Sequence, residues 1–128
     1  MRQTVLLVDD EPDILLAARL LLEDAGYAVI EASGGQDALD LMGKTKLDAV
    51  FLDLRMPGVD GWDVLEELRG RSTVTRLPVI VLSAHADPSA VERSVALGAR
   101  GYVRKPFRAA DLTRALRTVL QGAPRPTR

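Results

Sequence analysis

Five short apolar runs, each followed by a segment of helical period, constrain this chain more than any other feature. Thr4 to Val8, Ala28 to Glu31, Ala49 to Leu52, Val79 to Leu82 and Gly101 to Val103 have strand composition. Several are continuously apolar instead of alternating, as strands buried on both faces should be. Such strands, separated by helices, make a parallel sheet covered on both sides, an α/β fold. The spacers agree. The first has Pro12 in its first turn, an apolar stripe of Ile14, Leu15, Ala18, Leu21 and Leu22, and a stop at Gly26. The second follows Ser33-Gly34-Gly35-Gln36, which has capping-box spacing, and turns Leu39 and Met42 inward. The third is expected from about Trp62 to Arg69. Asp87 caps the fourth, with Pro88 just inside it, and the fifth repeats Leu112, Ala115, Leu116, Val119 and Leu120 at helical period. Arg108, where the fifth begins, is a poor cap with no functional account.

At 128 residues, 47% of them hydrophobic, the chain can bury one core and is too short for two ordinary domains. Residues 1–121 are expected to form that unit, and 122–128, Gly-Ala-Pro-Arg-Pro-Thr-Arg, a flexible tail or the start of a linker. Absence of Cys excludes disulfides and thiolate metal sites. No apolar run approaches the roughly 20 residues that span a bilayer. The opening Met-Arg-Gln-Thr leads into a strand-like run, not a signal peptide, so a cytoplasmic location without membrane insertion is expected. A net charge of -1 hides an uneven distribution: residues 1–64 hold 13 acids and 5 bases, residues 65–128 hold 5 acids and 12 bases. Those bases are spread over two helical segments and the tail without interleaved aromatics, which argues against direct binding of nucleic acid.

Ligands of an open parallel α/β sheet bind beyond the carboxyl ends of its strands. The first strand runs into Asp9-Asp10-Glu11, the third into Asp53, the fourth into Ser83, and the fifth, shortly after, into Lys105-Pro106. Taken singly, each has an ordinary structural explanation: an aspartate as cap or solvated loop residue, Ser83 as turn former, Lys105 as surface charge. Their convergence on one edge is what points to a site. Carboxylates about 4 Å apart repel by roughly 4 kcal/mol per pair at an effective dielectric near 20, so the cluster calls for a cation. Oxygen ligands without thiol or a second His select Mg2+, with Asp10 and Asp53 as direct ligands and Asp9 direct or through water. A carboxylate so held can act as a nucleophile towards phosphorus. Lys105 would balance the incoming charge and Ser83 would donate its hydroxyl to a phosphate oxygen. The lone His85 is assigned no catalytic role.

With these residues in hand, the sequence resembles the receiver domain of bacterial two-component response regulators, of the chemotaxis-regulator type. The likeness runs from about Thr4 to Leu120. It rests on Val5-Leu6-Leu7-Val8-Asp9-Asp10-Glu11-Pro12, on Leu52-Asp53-Leu54-Arg55-Met56-Pro57-Gly58 with Asp60-Gly61, on Val81-Leu82-Ser83-Ala84, and on Gly98-Ala99 leading through Tyr102 to Lys105-Pro106-Phe107. The resemblance implies a flavodoxin-like (βα)5 three-layer sandwich with strand order 2-1-3-4-5. It assigns the phosphoacceptor to Asp53, the acidic metal pair to Asp9 and Asp10, and a further Mg2+ ligand to the backbone carbonyl of Arg55. It makes Lys105-Pro106 a candidate cis peptide, and Ser83 with Tyr102 a switch that reshapes the surface of the fourth helix, fifth strand and fifth helix, where Arg93, Arg100 and Arg104 are expected. A histidine kinase or phosphotransfer protein would be the phosphodonor, a downstream protein or output domain the target, and a phosphorylation-dependent homodimer is a further possibility. Ser83 stands where Thr is more usual, which keeps the hydroxyl. Arg55 and His85 occupy variable positions that bear on phosphoryl lifetime.

Other chemistries fit less well. A phosphatase of the haloacid dehalogenase type needs a second acid two residues beyond the nucleophile, where this chain has Arg55. A flavin carrier needs a hydroxyl-rich loop after the first strand, where Asp9-Asp10-Glu11 would repel the flavin phosphate. The expected role is therefore that of a signalling module and not an enzyme, the alternative being a receiver-like docking module that is never phosphorylated.

Overall fold

The computed structural model describes residues 2–71, 77–84 and 87–121. His85 and the expected tail 122–128 lie outside these. Five strands, β1 (Thr4–Val8), β2 (Ala28–Ala32), β3 (Ala49–Leu52), β4 (Val79–Ser83) and β5 (Gly101–Arg104), alternate with α1 (Pro12–Asp24), α2 (Gly35–Lys44), α3 (Gly61–Arg69), α4 (Pro88–Ala96) and α5 (Ala109–Leu120). All strand pairs are parallel, and the order is β2-β1-β3-β4-β5. This is the expected flavodoxin-like topology. β2, β4 and β5 each run one residue further than sequence composition indicates, because pairing continues through Val8↔Ala32 and Ser83↔Arg104. Ser83 is thus part of the sheet and not of the loop beyond it.

The pleat divides the core in two. Leu6, Val8, Val50, Leu52 and Val81 face Ala38, Leu39 and Met42 of α2 and Val64, Leu65 and Leu68 of α3. Val5, Leu7, Phe51, Ile80 and Leu82 face Leu15, Ala18 and Leu22 of α1 and Leu112, Leu116 and Val119 of α5. At about 25 cal/mol per Å2 of apolar surface removed from water, these two layers are the main source of stability. α4 is different. It buries only Ser94, while Val95 is 58% exposed.

The helix ends hold several corrections. Ser33 does not cap α2; Gly34 takes that position, and the N–H of Gly35 goes to Val59 O at 3.1 Å. α3 begins at Gly61, with Asp60 accepting from Asp63 N–H (3.0 Å) and Asp63 from Asp60 N–H (3.1 Å), a reciprocal box that fixes its start. Asp87 caps α4 as expected, accepting from Ala90 N–H at 2.8 Å. Arg108 makes no side-chain cap, but its own N–H donates to Asp111 Oδ2 at 2.8 Å. Half of a capping box suffices there, which explains how an arginine is tolerated. Among the described residues, no helix is long and apolar enough to cross a membrane.

Candidate functional site

The sheet hydrogen bonds carry the polar residues to one edge. Val8 O accepts from Asp53 N–H (2.9 Å), so the residues that end β1 and β3 lie side by side. Asp9 N–H donates to Ala32 O (3.1 Å), and Lys105 N–H to Ser83 O (2.9 Å), which extends the β4–β5 pairing to the lysine. Carboxylate oxygens of Asp9, Asp10 and Asp53 all lie within 4.8 Å of one another. Beside them opens a cavity of about 260 Å3, lined by Asp10, Glu11, Asp53, Arg55, Ser83, Ala84 and Lys105. Asp9 lies beneath it, 1% exposed, and Asp10 stands at the rim.

Lys105 Nζ sits 2.7 Å from Asp9 Oδ2, 3.4 Å from Glu11 Oε1 and 3.7 Å from Asp53 Oδ1. Burial disfavours its charge, but the three carboxylates outweigh burial and hold its pKa above 10.5. Asp53 is pushed the other way. Burial first, then the charge of Asp9, raise its pKa from 3.8 to about 6, against the pull of Lys105 and the Arg55 N–H at 3.5 Å. One ammonium thus stands against the three carboxylates it contacts, with Asp10 beside them, and the cluster carries excess negative charge.

That excess tests the site for a divalent cation. The donors are all oxygen, which suits a hard ion. Asp9 Oδ1 accepts Glu11 N–H at 3.0 Å, and Asp9 Oδ2, fully buried, makes no hydrogen bond of regular geometry, only the ion pair with Lys105. The set fits Mg2+.

Every residue expected at the site on sequence grounds is brought to this edge or next to it. Tyr102 is half-buried on β5 opposite Val81, two residues before the position opposite Ser83. Lys105-Pro106 is cis. Arg93 does not join Arg100 and Arg104: its guanidinium lies 4.2 Å from the Trp62 ring centroid, with Glu66 of α3 at 3.9 Å. A cation finds an aromatic face and a carboxylate on α3, so Arg93 turns away from β5. Two participants have no role in the sequence reading. Glu11 closes the wall beside Lys105, a position its place in the acidic run foreshadows. Gly61 packs so tightly that a Cβ there would run into Asp53 O and Leu54 Cα, and its N–H donates to Leu54 O at 3.1 Å. The Asp60-Gly61 pair carried that signal.

Comparison with known proteins agrees with this geometry. The family model for the response regulator receiver domain matches residues 5–117. Transcriptional regulatory protein KdpE of Mycobacterium tuberculosis is 44% identical over 117 residues, which is 91% of this chain and 50% of KdpE. The chain thus spans about half the length of that curated relative. Among solved structures, chemotaxis protein CheY4 of Vibrio cholerae superposes with a TM-score of 0.88 at 32% identity, covering 94% of this chain and 100% of CheY4. The receiver domain of sensor histidine kinase PA1611 from Pseudomonas aeruginosa, whose structure has a magnesium ion coordinated in the active site cleft, gives 0.88 at 30% identity, covering 95% and 100%.

Proposed function

Because this chain belongs to the response regulator receiver domain family of two-component signalling, we propose that Asp53 is its phosphoacceptor and that the phosphoryl group it takes up is the signal. One observation carries the reading: Asp53 opens into the cavity with a lysine ammonium 3.7 Å from its Oδ1 and two further carboxylates within 4.8 Å. The donor would be a phosphohistidine on a histidine kinase or phosphotransfer protein. An Asp53 oxygen attacks phosphorus, the O–P bond forms as the N–P bond breaks, and the bonding pair leaves with the imidazole nitrogen. Lys105 holds the arriving negative charge. Ser83, buried on the cavity wall, donates its hydroxyl to a phosphoryl oxygen. Asp10, Asp53 and the Arg55 carbonyl would hold Mg2+, with Asp9 binding directly or through water. When bound, that ion neutralises phosphoryl charge that the carboxylates alone would repel.

The acyl phosphate then changes the surface. Ser83 drawn towards Asp53 leaves room on its far side, and Tyr102, on the neighbouring strand, turns into it, a shift between two populations. The face formed by α4, β5 and α5 passes the change to a protein target or output domain in the cytoplasm. The loose seating of α4 makes it the element easiest to displace. Intact mass after incubation with acetyl phosphate tests the reading. A single adduct that needs Mg2+, disappears with chelator and is absent in Asp53→Asn is expected. No adduct on the wild type under donor excess would leave a docking module that is never phosphorylated.

A further inference from the structure

We infer that Glu11 is a positioning residue, which keeps the Lys105 ammonium at the cavity once a divalent cation claims the other two carboxylates that the lysine touches. The inference rests on the reading of Asp9, Asp10 and Asp53 as a Mg2+ site beside the acceptor. Lys105 Nζ has three carboxylate neighbours: Asp9 at 2.7 Å, Glu11 at 3.4 Å and Asp53 at 3.7 Å. Asp9 and Asp53 belong to the trio whose oxygens lie within 4.8 Å of one another, the set that suits the cation, and Glu11 does not. When those two carboxylates turn to a cation, less of their charge is left for the lysine, and the ammonium has a like charge beside it. Among the described residues, Glu11 is the one ion-pair partner of Lys105 outside the trio. Its Oε1 already accepts a hydrogen bond from Nζ.

An acidic residue at a helix start has an ordinary explanation, as a cap or as a charge set against the helix dipole. Glu11 stands at the N-cap of α1, yet its side chain makes no capping hydrogen bond. It reaches instead to Lys105, 94 residues away in sequence, and lines the cavity with Asp53 and Ser83. Its own N–H donates to Asp9 Oδ1 at 3.0 Å. One residue thus orients the carboxylate that releases the lysine and supplies the carboxylate that retains it. In the metal-free chain the Glu11 side chain is 62% exposed, so its ion pair adds little to stability. Its effect belongs to the cation-bound state.

Calorimetric titration of the metal-free 128-residue chain with MgCl2 tests this. Glu11→Gln should weaken Mg2+ binding about fivefold, the factor that one partly exposed ion pair represents. Glu11→Asp keeps the charge at the helix start and is a better cap, but its carboxylate is one methylene too short to hold Nζ. It should weaken Mg2+ binding as much as Glu11→Gln does, while urea unfolding in chelator shows it at least as stable as the wild type. In a Lys105→Met background, with folding checked by circular dichroism, Glu11→Gln should change Mg2+ affinity little. Wild-type affinity in Glu11→Asp would show that charge alone matters and would overturn the inference. So would wild-type affinity in Glu11→Gln, or an undiminished loss in the Lys105→Met background; if that background does not fold, the two Glu11 variants decide. Intact mass after acetyl phosphate on the same samples keeps the readings apart. A Mg2+-dependent adduct with unchanged affinities overturns the role of Glu11 alone, whereas a wild type that binds no Mg2+ overturns both.

Discussion

Neutralising Asp53 should strengthen the fold. The carboxylate is 5% exposed and its pKa is raised to about 6 by burial and by Asp9. An acid whose folded pKa lies above its unfolded one weakens the fold when it ionises. The penalty is absent below pH 3.8, grows as pH rises, and is complete above about 6. At about 1.4 kcal/mol per pKa unit, ionised Asp53 lowers stability at pH 7.5 by up to about 3 kcal/mol. That pKa already contains the attraction to Lys105, so no separate correction for the lost ion pair applies. Asp53→Asn keeps the shape and removes the charge. Urea unfolding in chelator at pH 7.5 should show the variant more stable by about 2 to 3 kcal/mol, or roughly 10 °C in Tm for a chain of this size. The gap should close as pH is lowered towards 4. Saturating Mg2+ should also narrow it, because the ion stabilises the wild type more than the variant. Equal stability of the two proteins in chelator at pH 7.5, or a difference that does not change between pH 4 and 7.5, would refute this account of the cluster.

Three further substitutions probe other parts of the structure. Lys105→Met removes the ammonium from Asp9, Asp53 and Glu11 and leaves buried negative charge uncompensated; metal-free stability should fall by about 2 to 4 kcal/mol in urea unfolding, and acetyl phosphate should give little adduct. Gly61→Ala forces a methyl group against Asp53 O and Leu54 Cα, so it should destabilise by about 1 to 3 kcal/mol and also lower phosphoryl uptake, since the displaced backbone is that of the proposed acceptor. Arg93→Ala should lower stability by only about 0.5 to 1 kcal/mol, yet it should change the fluorescence of Trp62, the chain's single tryptophan, and speed amide exchange in α4 while leaving α1 and α5 unchanged.

The sheet was readable because each strand is an apolar run bounded by turn residues, a local property. So was the start of α4, where Asp87 and Pro88 act within one turn. The ends of β2, β4 and β5 were each missed by one residue because pairing, not composition, decides where a strand stops. Ser33 looked like a cap by spacing, but Gly34 and Gly35 let the backbone reach Val59 O, a partner 24 residues away that spacing does not encode. The same limit explains Arg93, whose direction depends on Trp62 and Glu66 of another helix.

At the site the division is sharper and has a physical origin. Which residues meet follows from topology: parallel strands all deliver their carboxyl ends to one edge, so residues after β1, β3 and β5 converge whatever the loops do. How they share charge does not follow. Lys105 pairs most closely with Asp9 at 2.7 Å and stands 3.7 Å from Asp53, a preference that arises because Asp9 is the more deeply buried carboxylate and Glu11 holds the ammonium from the other side at 3.4 Å. Asp53 is therefore the less compensated of the two buried carboxylates. Its raised pKa comes first from burial and then from the charge of Asp9, which Lys105 only partly offsets, and its appetite for added positive charge has the same origin. A residue placed this way gains more from a cation than one already paired, which is why chelator and Mg2+ should act on the wild type chiefly through Asp53 and only weakly on its Asn variant.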